Sequence, residues 1–423
     1  MSGTGVNLGA LAEFNVAVVL DAIRRHPSGV ARTEISTLTA LSGMTVSNVC
    51  RRLVEAGLVT EEAAPARGRG KPPKILTLNP DGGFAVGVHI DPAVVTYVLI
   101  DLAGRVRERM RTATPTVQNA AKVVGEMAAR LDALLLSAGV DRAKVLGIGV
   151  ASPGPIDPET GVVLNPPMLP GWHRVELRRA LSIVTGLPVL IEKDATAAVV
   201  SELWFSEPDE RRDFAFVYYG TGFATGIAIA GSAVRGVSSN AGDAGHISVD
   251  PDGPICACGR RGCVGVVTVP RALVEQAVRD GVLTGAQVGD TADVLQVGTA
   301  FGLLADAAAV GDAQAMEILT GAARHIARAV VVVVDLLDVG EVVFGGPFWP
   351  QIAPFALTTL PDAVHSDPGL VVPHRIRFSE SAIASDVAAV GAATLVLDDS
   401  FSPRAEALRI RNPDEAVARF STL

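Results

Sequence analysis

Apolar residues recur at helical spacing from Leu8 to Arg25, at Ala12, Val16, Val19, Leu20 and Ile23. They predict an amphipathic helix ended by Pro27-Ser28-Gly29. A second helix is predicted over Thr33 to Leu41, closed by the turn Ser42-Gly43-Met44. Thr45 then caps a third helix, Val46 to Ala56, which Gly57 stops. Leu58-Val59-Thr60-Glu61 begins a β-ribbon, and Arg67-Gly68-Arg69-Gly70-Lys71-Pro72-Pro73-Lys74 forms its tip or a tether.

After Asn79-Pro80 the texture becomes strands and helices in alternation. Two segments repeat one theme, an apolar strand, a turn and a second apolar strand. The first is Ala85–Asp91 followed by Thr96–Leu102. The second is Phe214–Tyr219, Gly220-Thr221-Gly222 and Gly226–Ala230, about 130 residues later. The repetition predicts duplicated α/β lobes facing across a cleft. Val330–Leu337 predicts a buried helix, too short to span a membrane.

Length and composition fit this division. A chain of 423 residues is too long for one core, and 49% of it is apolar, with few aromatic residues. That balance suits close-packed parallel strands. Val16–Leu20, bracketed by Asn15 and Asp21, is no signal peptide or span, which leads to the expectation of a cytoplasmic protein with reduced cysteines. The net charge of −9 is unevenly spread: residues 1–80 hold nine Lys/Arg against six Asp/Glu, and the remainder 27 against 39. A basic head on an acidic body suits a protein whose head alone touches phosphate backbones.

Helix, short glycine-containing turn and helix form the DNA-binding arrangement in which the second of the pair enters the major groove. Its outward face offers Thr45, Ser47, Asn48, Arg51 and Arg52. Asn pairs bidentately with adenine and Arg with guanine, while Ser and Thr hold phosphates. Arg67, Arg69 and Lys71 supply an arm for phosphates or a narrow minor groove. The other possibility is a protein-interaction unit with a solvated basic linker. Cys50, on the third helix, reads as a small core residue.

The densest chemistry lies further on. His246, Cys256, Cys258 and Cys263 fall within eighteen residues on glycine-rich turns and hold three of the four cysteines. One imidazole and three thiolates make a closed tetrahedral set, the pattern of a structural zinc. The bland counterpart is a set of buried free thiols beside a surface histidine. Asp194 follows the apolar strand Val189-Leu190-Ile191 and opens an alanine-rich helix, at the strand end where α/β folds bind ligands. It is placed to act as a base on a hydroxyl, to accept its hydrogen bond, or to cap the helix. Gly220–Gly226 is either a phosphate cradle or a tight hairpin turn, and Val342–Pro347 is likewise either loop or nucleotide contact.

Together these pieces resemble the ROK family of sugar kinases and sugar-responsive repressors over nearly the whole chain. The body carries Gly154-Pro155-Ile156-Asp157, Leu169-Pro170-Gly171-Trp172, Asp194, Gly245-His246 and Cys256-x-Cys258-Gly259-x-x-Gly262-Cys263 in family order. The resemblance implies a two-lobed, actin-like or hexokinase-type α/β body, with the N-terminal winged helix-turn-helix that the repressor branch adds. The expected divisions are 1–76 for the head, 80–195 with about 382–400 for the first lobe, and 196–381 for the second. A homodimer or homotetramer on an inverted-repeat operator is implied, with a sugar-type effector in the cleft. Trp172 sits on a loop that in the family approaches the sugar, though packing explains it equally.

The chain departs from the kinase pattern. The Asp-x-Gly-Gly-Thr loop that grips ATP phosphates is replaced by His89-Ile90-Asp91-Pro92-Ala93, which lacks the glycines, and Pro92 has no N–H to donate. ATP binding in the family manner is expected to fail, leaving no enzyme; an active sugar kinase with a DNA-binding head is the rival, with Asp194 as its base. The sugar pocket also changes. Lys193-Asp194 stands for Asn-Asp, Asp243-Ala244-Gly245-His246 for Glu-x-Gly-His, and Gly265 for a Glu. The added cation and lost anion point to an acidic or phosphorylated effector, or to a bulkier one using room at Gly265; loss of effector binding is the competing outcome.

Overall fold

The computed structural model describes residues 8–63, 74–115, 120–166, 169–206, 212–372 and 374–403. The head consists of α1 (Leu8–Arg24), β1 (Val30–Ala31), α2 (Arg32–Thr39), α3 (Gly43–Glu55), β2 (Val59–Ala63) and β3 (Lys74–Leu78). Val46, Val49, Cys50 and Leu53 are the buried stripe of α3, spaced as one helix face requires. Its cap is Ser42, not Thr45: the extended Ser42 backbone lets its Oγ accept the Thr45 N–H at 3.2 Å. Gly43 and Met44 therefore sit inside the first turn, where N–H groups have no helical partner to lose. α2 ends before Leu41 because Ala40 turns left-handed, at φ +55°. The three strands order β1-β3-β2, with β3 paired to both of the others; the expected tip or tether between β2 and β3 lies outside the described residues up to Lys74.

The body opens with β4 (Phe84–Ile90), β5 (Val94–Asp101) and β6 (Val106–Ala113), followed by α4 (Ala120–Ala138), β7 (Val145–Ser152), the short pair β8 (Ile156–Asp157) and β9 (Val162–Val163), and α5 (Leu177–Thr185). β10 (Val189–Lys193) runs directly into α6 (Asp194–Phe205). The second half comprises β11 (Phe214–Tyr219), β12 (Phe223–Ile229), β13 (Ser232–Ala233), α7 (Val264–Val267), α8 (Pro270–Arg279), α9 (Gly285–Val288), α10 (Val294–Ala309), α11 (Ala313–Leu337), β14 (Glu341–Gly345), α12 (Trp349–His365), β15 (Arg377–Glu380) and α13 (Val387–Phe401).

The expected duplication is visible in the two sheets. The first orders β10-β7-β4-β5-β6 and the second β13-β12-β11-β14-β15. Each begins with a meander of three antiparallel strands, then adds two parallel strands on the other side of its first strand. Alternation along β4 sends Phe84, Val86 and Val88 into a core with α4 and α5, and Ala85 toward α13. Along β11, Ala215, Val217 and Tyr219 face α8 and α10–α12, while Phe214, Phe216 and Tyr218 face α6. The α6–α13 pair thus fills the space between the sheets, α13 lying on the first and α6 on the second.

The Val330–Leu337 run forms the end of the long α11, and only one face of it is covered. Val330, Val331 and Val334 are buried, but Val332 and Leu336 are exposed. Among the described residues no single helix is long and apolar enough to cross a membrane.

Candidate functional site: an interlobe cleft beside a Cys3His cluster

A cleft of about 430 Å³ opens between the lobes. β4 delivers Asp91 and Pro92 to it, β10 and α6 deliver Lys193 and Asp194, the β11–β12 turn delivers Thr221 and Gly222, and the following loop delivers Asn240, Asp243 and His246. Asp194 is the first residue of α6, and its Oδ1 accepts the Ala195 N–H at 2.7 Å. It is buried, and desolvation raises its carboxyl above the usual range, against the opposing charges of His89 and Lys193. The Lys193 ammonium donates to the carbonyls of Ala241 at 3.2 Å and Asn240 at 3.4 Å. Beside it, Glu192 binds the Arg235 guanidinium at 2.6 Å.

Three contacts join the lobes across the cleft that the sequence did not announce. The Thr221 hydroxyl donates to Asp91, His89 Nε2 lies 3.4 Å from the Tyr218 hydroxyl, and the Asn240 amide clamps both backbone groups of Ile156. Gly220-Thr221-Gly222 is a tight hairpin turn, closed by the Gly220 N–H on the Gly222 carbonyl. Of the expected pocket residues, Lys193, Asp194, Asp243 and His246 come together; Gly265 is not in the lining. A Cβ at Gly265 would meet the Gly245 carbonyl at 3.0 Å, so the missing side chain leaves backbone contact there rather than ligand room. Trp172 is buried among α4 and α5 side chains and is a packing residue.

His246 also belongs to the second feature. One ligand atom from each of His246, Cys256, Cys258 and Cys263 lies within 4.8 Å of all the others. Cys256 Sγ is 3.4 Å from His246 Nδ1, and Cys258 Sγ is 3.7 Å from Cys263 Sγ. A tetrahedral zinc, with bonds of about 2.3 Å to sulfur and about 2.0 Å to nitrogen, sets these separations at about 3.5 and 3.8 Å. The donor set therefore fits a closed zinc site. Gly262, left-handed at φ +59°, lets the loop close: a Cβ there would fall 1.6 Å from the Asp250 carbonyl. The Arg260 backbone N–H lowers the exposed Cys258 thiol, whereas burial and the two adjoining thiols push Cys263 up to about 12. Arg328 of α11 fastens the loop by donating to the Val249 carbonyl at 2.7 Å.

In the head, Asn48, Arg51 and Arg52 are exposed on α3, with Thr45 and Ser47 half-buried. Arg51 donates to the Asn48 side chain at 2.7 Å. Glu61 at the root of the wing is shared by Arg32 and Lys74. Arg67, Arg69 and Lys71 lie outside the described residues. Cys50 is fully buried, and burial raises its thiol.

The MarR family matches residues 13–70, and the ROK family matches residues 85–398. The xylose repressor of Caldicellulosiruptor bescii is 29% identical over 287 residues, covering 66% of this chain and 71% of its own. The structure described as a ROK family transcriptional regulator, homolog of the E. coli MLC protein, is 22% identical with a TM-score of 0.76. It covers 93% of this chain and 98% of that one, head included. A ROK family glucokinase from Streptomyces griseus, solved with glucose and AMPPNP, is 25% identical with a TM-score of 0.63, over 74% of this chain and 99% of its own. With the duplicated sheets, the cleft and the cysteine loop, these likenesses place the chain: it belongs to the ROK family, its hexokinase-type body carrying an N-terminal MarR-type winged helix.

Proposed function

We propose that this protein is a sugar-gated, DNA-binding transcriptional repressor, active as a homodimer or homotetramer on an inverted-repeat operator. The observation that carries this is the pairing of an exposed Asn48/Arg51/Arg52 helix face with a ligand-sized cleft in a family body. Thr45, Ser47, Asn48, Arg51 and Arg52 read the major groove, and Arg67, Arg69 and Lys71 follow the backbone or minor groove. Asp194, Lys193, Asp243 and His246 hold the effector. His246, Cys256, Cys258 and Cys263 would hold one structural zinc, which keeps the loop beside the cleft in shape.

Two observations favour a regulator over a kinase. The loop that grips phosphates in family kinases presents the Asp91 carboxylate, and Pro92 adds no donor. That carboxylate is bound to Thr221 of the opposite loop, where its charge repels an incoming phosphate. The effector is an acidic or phosphorylated sugar: two of the three Lys193 donors are spent on carbonyls, leaving one for an anion. Effector binding closes the lobes and changes the spacing of the paired heads, which must match half-sites about one helical turn or a multiple apart.

A genomic binding selection with the purified full-length protein tests this, with Arg51→Ala as control. An enriched inverted repeat that the variant loses is the expected result. No enriched site at moderate salt would make the head an interaction module.

A further inference from the structure

One helix connects the cleft to the head. α6 begins at Asp194 in the cleft wall and ends at Phe205. Its penultimate residue, Trp204, is buried against the head. There the Arg24 guanidinium stacks on the indole, 4.0 Å from its centroid, and Arg24 Nη1 donates to the Trp204 carbonyl at 2.8 Å. The other guanidinium nitrogens are held by Asp21 at 3.2 and 2.6 Å. Arg24 is therefore fixed both to its own helix and to the end of α6. Twelve residues at about 1.5 Å each make a strut of roughly 18 Å.

The strut is gripped in its first turn. A Cβ added at Gly226 of β12 would lie 2.4 Å from the Ala195 carbonyl, and one added at Gly391 of α13 would lie 2.2 Å from the Ala197 carbonyl. Backbone this close on two sides holds the start of the helix between β12 and α13, and one continuous helix links that start to Trp204. At the far end α1 packs on α3, the recognition helix.

We infer that α6 is the relay from cleft to DNA-binding head, and that the Arg24–Trp204 contact is its output. Arg24 is a positioning residue: it touches neither effector nor DNA. The relay rests on the repressor reading for what fills the cleft, but the coupling between Asp194 and the head is independent of the ligand's identity.

A double-mutant cycle on the full-length protein tests it, using Asp194→Asn, Arg24→Gln and the pair. The readout is amide hydrogen exchange across Leu8–Arg24 and Gly43–Glu55. Asp194→Asn should change head exchange by about fivefold or more, the lower end of ordinary intersite coupling. Arg24→Gln should abolish that response while the head keeps its helical circular dichroism. If Arg24→Gln unfolds the head, Trp204→Phe takes its place, weakening the stack and reducing the response. Head exchange unaltered by Asp194→Asn, or altered equally in the double variant, overturns the relay. A failed operator selection with coupling intact would sink the repressor reading alone.

Discussion

The Thr221 hydroxyl lies 3.1 and 3.3 Å from the two Asp91 carboxylate oxygens, joining the turn after β4 to the β11–β12 turn of the other lobe. Asp91 also takes the Ala93 N–H at 2.9 Å, so its carboxylate is held in place from its own side. The pair acts as a clasp at the mouth of the cleft. Thr221→Val should cost about 0.5–1.5 kcal/mol, the net worth of one such hydrogen bond, and Asp91→Ala should cost more, because it also frees the Ala93 N–H. Because both remove the shared Asp91–Thr221 interaction, the double variant should lose little more than Asp91→Ala alone, as denaturant titration would read. Additive losses would mean that each residue acts alone.

Zinc should be present at one ion per chain, and a chelator should lower the melting temperature of the intact protein. Cys258→Ser should abolish stoichiometric zinc and the chelator effect together, since a closed site cannot lose one of its four ligands without loosening the loop. Elemental analysis with thermal unfolding decides. Full zinc in the variant would remove Cys258 from the ligand set.

Lys193→Met should weaken binding of a sugar phosphate by about 10- to 100-fold, the usual worth of a charge-assisted hydrogen bond. Binding of a neutral hexose should change far less. Calorimetric titration of both ligands against both proteins gives the comparison, and tight neutral-hexose binding to the native protein would defeat the charge argument.

Asp194 carries a pH dependence whose sign follows from its burial. Its carboxyl is raised in the fold above an ordinary value of about 3.8. The folded state therefore binds the proton more tightly, and stability from this group is full below the unfolded value. It falls as pH rises through the folded value, because the protein must then hold a buried charge. Asp194→Asn keeps an acceptor for the Ala195 N–H without the charge. It should be more stable than the native protein at pH 7.5, with the gain shrinking toward pH 4. A constant gap across that range would show that the carboxyl does not titrate differently on folding.

Much of this architecture is legible in the chain because it is written locally. Val46, Val49 and Leu53 state a helix face by spacing alone, and the His246, Cys256, Cys258 and Cys263 donor set falls within one loop. The two strand–turn–strand themes announce a duplication that the matched sheet orders repeat. What sequence misses is set by partners far along the chain. Asp91 and Thr221 are 130 positions apart, Ile156 and Asn240 are 84 apart, and Arg24 and Trp204 are 180 apart. Gly265 shows the converse: a missing side chain suggests space, but whether space is there depends on where Gly245 runs. The Ser42 cap is not legible for a subtler reason, since Ser42 and Thr45 are both good caps and only backbone dihedrals choose between them.

The apolar cluster of the head does not stop at its boundary. Val16, Val19, Leu20 and Ile23 of α1 share one continuous core with Val390, Ala393 and Leu397 of α13 and with Trp204. The head is consequently no interchangeable cassette. A chimaera that moves residues 1–78 onto another family body transplants half of a surface whose complement stays behind. On the proposed reading, new operator specificity is better grafted at Asn48, Arg51 and Arg52, leaving the seam between α1 and α13 as it stands.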